Sequence, residues 1–365
     1  MWPYFGIIGI LTISGLIGLD RRAKGNFNIA VLSVLMLLLL YFCGLRTIGW
    51  DYENYLDLFR QTPEIWHYSR TISTIEPGYE LISSISKGFT HDYNIFLLIF
   101  TAINISLAMS VCVKYSPYPL ISFFLFCAVF LFAQVMGQMR QPMATSLAYL
   151  ILIPLVLNHH RVAAVVATMI VGMLFHKSLL FFAVVLPFAF IKFTSKQTIL
   201  FIIATILLFC IPNQIKSIIM ALIPGSFYLH DVIEAYMTYL GATFSFTFGM
   251  IERVGLLVFC YAMAKKYGLY QKDYLYRVLI NIYFTGIVFY FAFVRMAAEF
   301  ASRGTKPMYF SIILIFPILL KHAKGIDRGI IWIAMMAWSL YLFVSFVLAG
   351  EEEYFPYSNV LSSLI

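Results

Sequence analysis

Apolar runs long enough, or nearly long enough, to cross a bilayer recur along this chain from residue 2 to residue 349. In hydrocarbon no water is present to satisfy backbone N–H and C=O groups. Each run must therefore close its hydrogen bonds within itself, as a helix. The pattern predicts twelve apolar segments, at 2–19, 29–45, 94–113, 120–137, 142–157, 162–175, 178–191, 198–211, 249–264, 278–294, 305–320 and 329–349. Composition agrees: 62% of the 365 residues are hydrophobic, 12% are charged and the mean hydropathy is +0.88, whereas a soluble domain carries about 25% charged residues. The expected fold is all-α, a polytopic transmembrane bundle of about twelve spans, forming one integral membrane domain over residues 1–365. Residues 2–19 read as a first span and not as a secretion signal, because no basic segment precedes them and Arg21 and Arg22 follow. Segments 162–175 and 178–191 are short enough to make a tilted or partly penetrating hairpin, which leaves the remaining topology unchanged.

Loop charge orients the bundle. The loops 20–28, 114–119, 158–161, 192–197, 265–277 and 321–328 hold fourteen basic and three acidic residues, and the rest of the chain holds eleven basic and fourteen acidic ones. The positive-inside rule places the first set in the cytoplasm and both termini outside. The net charge of +8 is thereby a consequence of topology. The basic residues form no stripe, and no nucleic-acid partner is implied. Two long outward loops remain, 46–93 and 212–248, each with an amphipathic helix pattern: Tyr52, Tyr55, Leu56 and Phe59 in one, Val232, Ala235, Tyr236 and Tyr239 in the other. Such helices are able to lie flat in the interface.

The interiors of the spans are nearly free of ionisable residues, which argues against an ion-coupled transporter. Charge gathers instead at the outer ends of helices: Arg46, Asp51 and Glu53 after the second segment, Arg140 after the fourth, His176 and Lys177 after the sixth, Glu252 and Arg253 at the ninth, and Arg295, Glu299 and Arg303 after the tenth. That level suits a lipid pyrophosphate, with its chain in the bilayer and its sugar in water. The planar guanidinium fork makes paired, charge-assisted bonds to phosphate and stabilises a pyrophosphate leaving group.

Each residue also has a structural reading. Arg140, in Gly137-Gln138-Met139-Arg140-Gln141-Pro142, would as a lone arginine merely snorkel; Gln138 and Gln141 beside it in a tight turn favour a functional role. His176 is as well explained by a hydrogen-bonded turn as by chemistry. Asp51 would cap a helix starting at Tyr52. Arg295, Glu299 and Arg303, spaced i, i+4, i+8, would make a salt-bridge ladder on one helix.

No Walker loop, Rossmann glycine pattern, zinc-binding His pair or nucleophile elbow occurs. No nucleotide, cofactor or metal is expected, Asp51-x-Glu53 being too small a ligand set by itself. The five cysteines sit within or at the edge of apolar runs, with no zinc spacing, and no disulfide is expected.

The order of short motifs carries a resemblance. Arg46-Thr47-Ile48-Gly49-Trp50-Asp51-Tyr52-Glu53-Asn54-Tyr55, then Glu76-Pro77-Gly78-Tyr79, Met139-Arg140-Gln141, Phe175-His176-Lys177-Ser178, Arg303 before an apolar span, and Tyr354-Phe355-Pro356-Tyr357 together resemble the EpsG family of Wzy-type polysaccharide polymerases, over nearly the whole chain. The resemblance implies a GT-C-type glycosyltransferase of the bacterial inner membrane, serving O-antigen, capsule or exopolysaccharide assembly. It would transfer a growing glycan from undecaprenyl pyrophosphate to the sugar of another lipid-linked repeat unit. The partners it implies are those lipid-linked glycans and membrane lipid, with a chain-length regulator as a candidate protein partner. On this reading Arg140, Arg295 and Arg303 bind pyrophosphate, Asp51 or His176 is the base, and Arg46, Glu76, Tyr79, Gln141, Glu299 and Tyr357 shape the substrate site. The competing readings are an O-antigen ligase, a lipid-glycan flippase and a membrane O-acyltransferase; for the last, His176 falls on the wrong side.

Overall fold

The computed structural model describes residues 1–19, 25–70, 75–222, 246–349 and 352–363. Among them every extended element is helical, and the one β-bridge is an isolated pair, Arg46 with Asn359. Each of the twelve apolar segments falls on a helix. Six helices are long and apolar enough to cross a membrane: Asn26–Gly44, Tyr93–Tyr115, Arg140–Leu157, Tyr274–Phe293, Ala298–His322 and Gly325–Ala349. Trp2–Ile17, Pro119–Val135, Arg161–Phe175, Ser178–Ala189 and Ser195–Cys210 are apolar but shorter. The chain is a multi-pass membrane protein. Large apolar side chains such as Val34, Leu37, Leu200, Leu340 and Leu348 stand exposed on these helices, as a surface solvated by lipid requires.

The helices group into two compact units, Met1–Lys177 with Phe316–Ile365, and Ser178–Ile315. In the first unit α1 (Trp2–Ile17) packs on α6 (Pro119–Phe126). Helix α2 (Asn26–Leu39) runs into a π-helical turn, Leu40–Gly44, that packs on α5 (Tyr93–Tyr115). A longer π-helical stretch, Cys127–Val135, continues α6 and packs against the helix Gly325–Ala349. Helix α7 (Arg140–Leu157) lies against α5 and α8 (Arg161–Phe175).

The amphipathic helix pattern in 46–93 falls on α3 (Tyr52–Gln61), and a second short helix, α4 (Pro77–Lys87), follows it. Their apolar faces do not lie on lipid. Tyr55 and Phe59 of α3 and Tyr79 of α4 are buried in a cluster with Phe96 and Phe100 of α5 and Met139 and Met143. The rings of Phe59 and Phe96 stack at 4.7 Å, and Tyr79 meets Phe100 edge-on at 5.5 Å. The second amphipathic pattern, Val232 to Tyr239, lies outside the described residues.

In the second unit, which contains α9 (Ser178–Ala189), α10 (Ser195–Cys210) and α11 (Pro212–Leu222), the central element is α13 (Tyr274–Phe293). It packs on α9, α10, α12 (Phe248–Tyr267) and α14 (Ala298–Tyr309). Local chemistry sets several ends. Thr194 and Gln197 form a capping box at α10, Asp273 accepts the Tyr276 N–H at α13, and Gly268 takes the left-handed φ of +66° that ends α12. All five cysteines are free, four of them buried.

Candidate active site around Arg140

The π-helical stretch Cys127–Val135 ends in the turn 136–139, and α7 begins at Arg140. Pro142 sits in the first turn of α7, where its missing N–H breaks no helical bond. Met139 provides no side-chain cap; the Gln138 carbonyl takes the Gln141 N–H at 3.1 Å instead. The Met139 carbonyl accepts from Asn104 Nδ2 of α5 at 2.8 Å, which fixes the turn.

A cation at a helix N-terminus is unfavourable by itself, and three neighbours offset that cost. The Arg140 guanidinium forms an ion pair with Glu76 through NH1. Its Nε–H donates to the Tyr55 hydroxyl at 3.3 Å. Its carbon lies 5.6 Å from the Tyr55 ring centre and 5.7 Å from that of Tyr79, a cation–π arrangement. NH2 has no hydrogen-bond partner among the described residues, and 21% of the side-chain surface stays exposed. One edge of the fork is thus held by protein and the other is open. Burial pushes the Tyr55 and Tyr79 hydroxyls above their ordinary range, against the opposite pull of Arg140. Both therefore stay protonated near neutral pH.

Every residue of Glu76-Pro77-Gly78-Tyr79 has a physical reason to be there. Glu76 is the N-cap residue of α4, and besides Arg140 it accepts the Lys177 N–H at 3.2 Å through Oε1. Pro77 occupies the first helical position. A Cβ on Gly78 would stand 2.5 Å from the Leu174 carbonyl oxygen and 2.6 Å from the Phe175 ring, so only glycine lets α4 meet the end of α8. Tyr79 supplies a ring under Arg140. Glu76 consequently ties together α4, Arg140 and the turn that carries His176, which ends α8 in an extended conformation and is half-buried.

Asp51 stands at the N-cap position of α3, as the spacing predicted, but makes no side-chain cap bond; Oδ1 accepts from Asn54 Nδ2 at 3.4 Å. It is half-buried, one helical turn from Tyr55, whose hydroxyl feels its charge. The capping explanation for Asp51 therefore lacks its bond. Gln141 is buried beside Arg140.

Arg46 and Tyr357 belong to a different assembly. Arg46 is 0% exposed and NH1 donates to the Cys43 carbonyl at 2.6 Å. The Tyr357 ring stacks on Phe42 at 4.6 Å and its hydroxyl donates to the Phe42 carbonyl. Thr47 N–H donates to Ser358 O, Gly49 N–H to Glu353 O and Val360 N–H to Leu45 O. Gly49 takes a φ of +130° and leaves no room for a Cβ, which would lie 2.4 Å from the Met136 carbonyl oxygen. This clamp sets the path of the segment that ends at Asp51.

Arg295, Glu299 and Arg303 lie in the second unit. The ladder expected of them is half realised. Glu299 and Arg303 form an i, i+4 ion pair on α14, but Arg295 falls in the break between α13 and α14 and donates NH1 to the Phe209 carbonyl at 3.0 Å. Glu252 and Arg253, which the sequence places at a helix end without a role, are joined in the structure by Tyr283, Tyr290, Lys306 and Tyr309. The signal available was a lysine at the mouth of an apolar run.

A sequence model of the EpsG family matches residues 29–359. The chain belongs to the EpsG family. That is a Wzy-like polymerase family, and the protein is accordingly a membrane protein of the polysaccharide-polymerase type. The matched stretch includes every residue of the Arg140 site described above. No curated protein and no solved structure matches the chain.

Proposed function

We propose that this EpsG-family chain is a GT-C-type glycosyltransferase that polymerises polysaccharide from undecaprenyl-pyrophosphate-linked repeat units at the outer face of the bacterial inner membrane. The five shorter apolar helices and α12 (Phe248–Tyr267) span as well, giving about twelve passes with both termini outside. Loop charge supports that orientation, and strong labelling of Lys272→Cys by an impermeant thiol reagent in intact cells would overturn it.

The observation that carries the reading is the open edge of the Arg140 guanidinium. A free edge of a fixed planar fork suits an oxyanion, and phosphate above all. Arg140 takes the donor pyrophosphate. Asp51 or His176 removes the acceptor hydroxyl proton, and the oxygen attacks the anomeric carbon of the donor. The bond from that carbon to the pyrophosphate oxygen breaks, and undecaprenyl pyrophosphate leaves with the electron pair, its charge offset by Arg140. Glu76 and Tyr55 hold the guanidinium in one orientation throughout. The donor is already activated as a glycosyl pyrophosphate, with a stable leaving group on its anomeric carbon, so no nucleotide enters.

Purified protein given lipid-linked repeat units alone should build a ladder of longer glycans still attached to undecaprenyl pyrophosphate. A strict requirement for an added nucleotide sugar would sink the mechanism. In cells, deletion should abolish long chains while one repeat unit is retained, which separates a polymerase from a flippase or a ligase.

A further inference from the structure

The second unit contains a charged group that the mechanism above does not use. Near the start of α12, the Arg253 guanidinium lies 4.4 Å from the Tyr290 ring centre and 5.5 Å from that of Tyr309. NH1 donates to the Gly249 carbonyl at 2.9 Å, and the Tyr283 hydroxyl donates to the Arg253 carbonyl at 3.2 Å. The arginine is thus plated against tyrosines with its backbone pinned. Lys306 precedes Tyr309 by three residues on α14, so the two share a helix face. The lysine is half-buried and stands within the electrostatic reach of Arg253, Glu299 and Glu252.

Charge in this group is unbalanced. Glu252 receives a hydrogen bond from the Tyr309 hydroxyl, and Glu299 is paired with Arg303. Among the described residues Arg253 has no carboxylate within ion-pair distance, and Lys306 has neither a hydrogen-bond nor an ion-pair partner. Two cations therefore face one carboxylate, which already accepts a bond from a tyrosine. Like charges brought together away from bulk water repel, and an unpartnered ammonium loses solvation that nothing in the protein returns. An anion placed between them relieves both penalties. Lys306 and Arg253 are both half-buried, not fully enclosed, so an anion is able to reach them.

We propose that Arg253 and Lys306 form an oxyanion site for a phosphate or pyrophosphate group, separate from the one assigned to Arg140. The arginine supplies a planar fork and the lysine a compact point charge, the two modes by which proteins hold phosphate. The Tyr309–Glu252 hydrogen bond keeps the acid turned to the tyrosine and leaves the net positive charge for the ligand. Resting on the polymerase reading, the natural ligand is the pyrophosphate of the second lipid-linked glycan that every elongation step requires.

The test is equilibrium binding to the full-length chain in phosphatidylcholine nanodiscs, titrated separately with farnesyl pyrophosphate and inorganic pyrophosphate. It is done in an Arg140→Gln background, so that the first unit's arginine does not contribute. Binding should persist there, and adding Arg253→Gln or Lys306→Gln should weaken it about tenfold or more, the loss expected for a charge-assisted bond. Lys306→Arg should restore most of it. Farnesyl pyrophosphate binding without inorganic pyrophosphate binding assigns the site to a lipid-borne group; binding of both assigns it to the phosphate alone. No binding in the Arg140→Gln background, or undiminished binding after both further substitutions, overturns the proposal. Should the variants fold poorly, acylation of Lys306 in the wild-type chain decides: protection by farnesyl pyrophosphate supports the site, and equal modification with and without it refutes it. None of these readouts needs polymerisation. A chain that binds but does not polymerise lipid-linked units would break the functional reading and leave the site standing.

Discussion

Arg140 and Arg253 use the same device with opposite charge arithmetic. Each sits in the first turns of a helix with its guanidinium over two tyrosine rings, Tyr55 and Tyr79 for one, Tyr290 and Tyr309 for the other. Each has a glutamate nearby. Glu76 bonds Arg140 directly, whereas Glu252 accepts from Tyr309, and Arg253 shares its surroundings with a second cation, Lys306. A carboxylate bonded to the arginine fixes its direction and lowers its net charge. A carboxylate turned to a tyrosine leaves charge uncompensated. The first arrangement suits a group that must be aimed at a reacting bond. The second suits a group that must hold an anion.

The largest expected effect is at Arg140. Arg140→Lys keeps the charge but cannot bond Glu76 and Tyr55 and still present a free edge, so elongation should fall by about a hundredfold or more. Glycan chain length in cells, at equal membrane levels of protein, measures it. Wild-type chains from both Arg140→Lys and Arg140→Gln would remove Arg140 from the site and end the comparison.

Next come the two candidate bases. Either Asp51→Asn or His176→Gln should reduce turnover by about a hundredfold, within the range general-base catalysis supplies. Asn retains the hydrogen-bonding shape of Asp51, so an effect there reports basicity. Near-full activity in both variants eliminates both residues.

The glutamates should respond with opposite signs. Glu76→Gln frees the aim of Arg140 and loosens the turn held through Lys177 N–H, so elongation should drop by about tenfold with a lower melting temperature. Glu252→Gln removes negative charge beside Arg253 and Lys306 and should tighten pyrophosphate binding by a few-fold, at about ε = 20 electrostatics. Equal changes of the same sign in pyrophosphate affinity would show that the two glutamates do one job.

The smallest effect concerns packing alone. Gly78→Ala places a methyl group against the Leu174 carbonyl and the Phe175 ring, which should cost about 1–3 kcal/mol as overpacking. A thermal melt of the purified variant tests this, and an unchanged melting temperature would mean that α4 and α8 are able to move apart.

Helix positions were legible because apolar runs of this length have only one way to satisfy their backbone in lipid. The start of α3 at Tyr52 was legible from its i, i+3, i+4, i+7 spacing. What α3 packs against was not: periodicity identifies an apolar face but not its partner, and Tyr55 and Phe59 turned out to face α5 and α4. The ladder through Arg295 failed for a similar reason. No glycine or proline marks the break at 294–297; the contact of Arg295 with the Phe209 carbonyl is tertiary, and spacing carries no trace of it. The π-helical stretches before Arg46 and before Arg140 were equally silent, since a change from four- to five-residue hydrogen bonding leaves composition untouched.

By itself the sequence determined that this chain is helical and membrane-embedded, and that its arginines and carboxylates cluster at helix ends. Those outcomes follow from local energetics: backbone hydrogen bonding in hydrocarbon and the cost of placing charge there. Only the tertiary structure decided that Glu76 belongs to Arg140, that Arg46 is sealed in a clamp with the segment 353–360, and that Lys306 stands beside Arg253 with no acid of its own. An ion pair, a juxtaposition of two cations and a backbone bridge, between residues 64, 53 and 313 positions apart, depend on how distant segments are packed side by side. Many packings satisfy the same pattern of apolar runs, and side-chain fit selects among them.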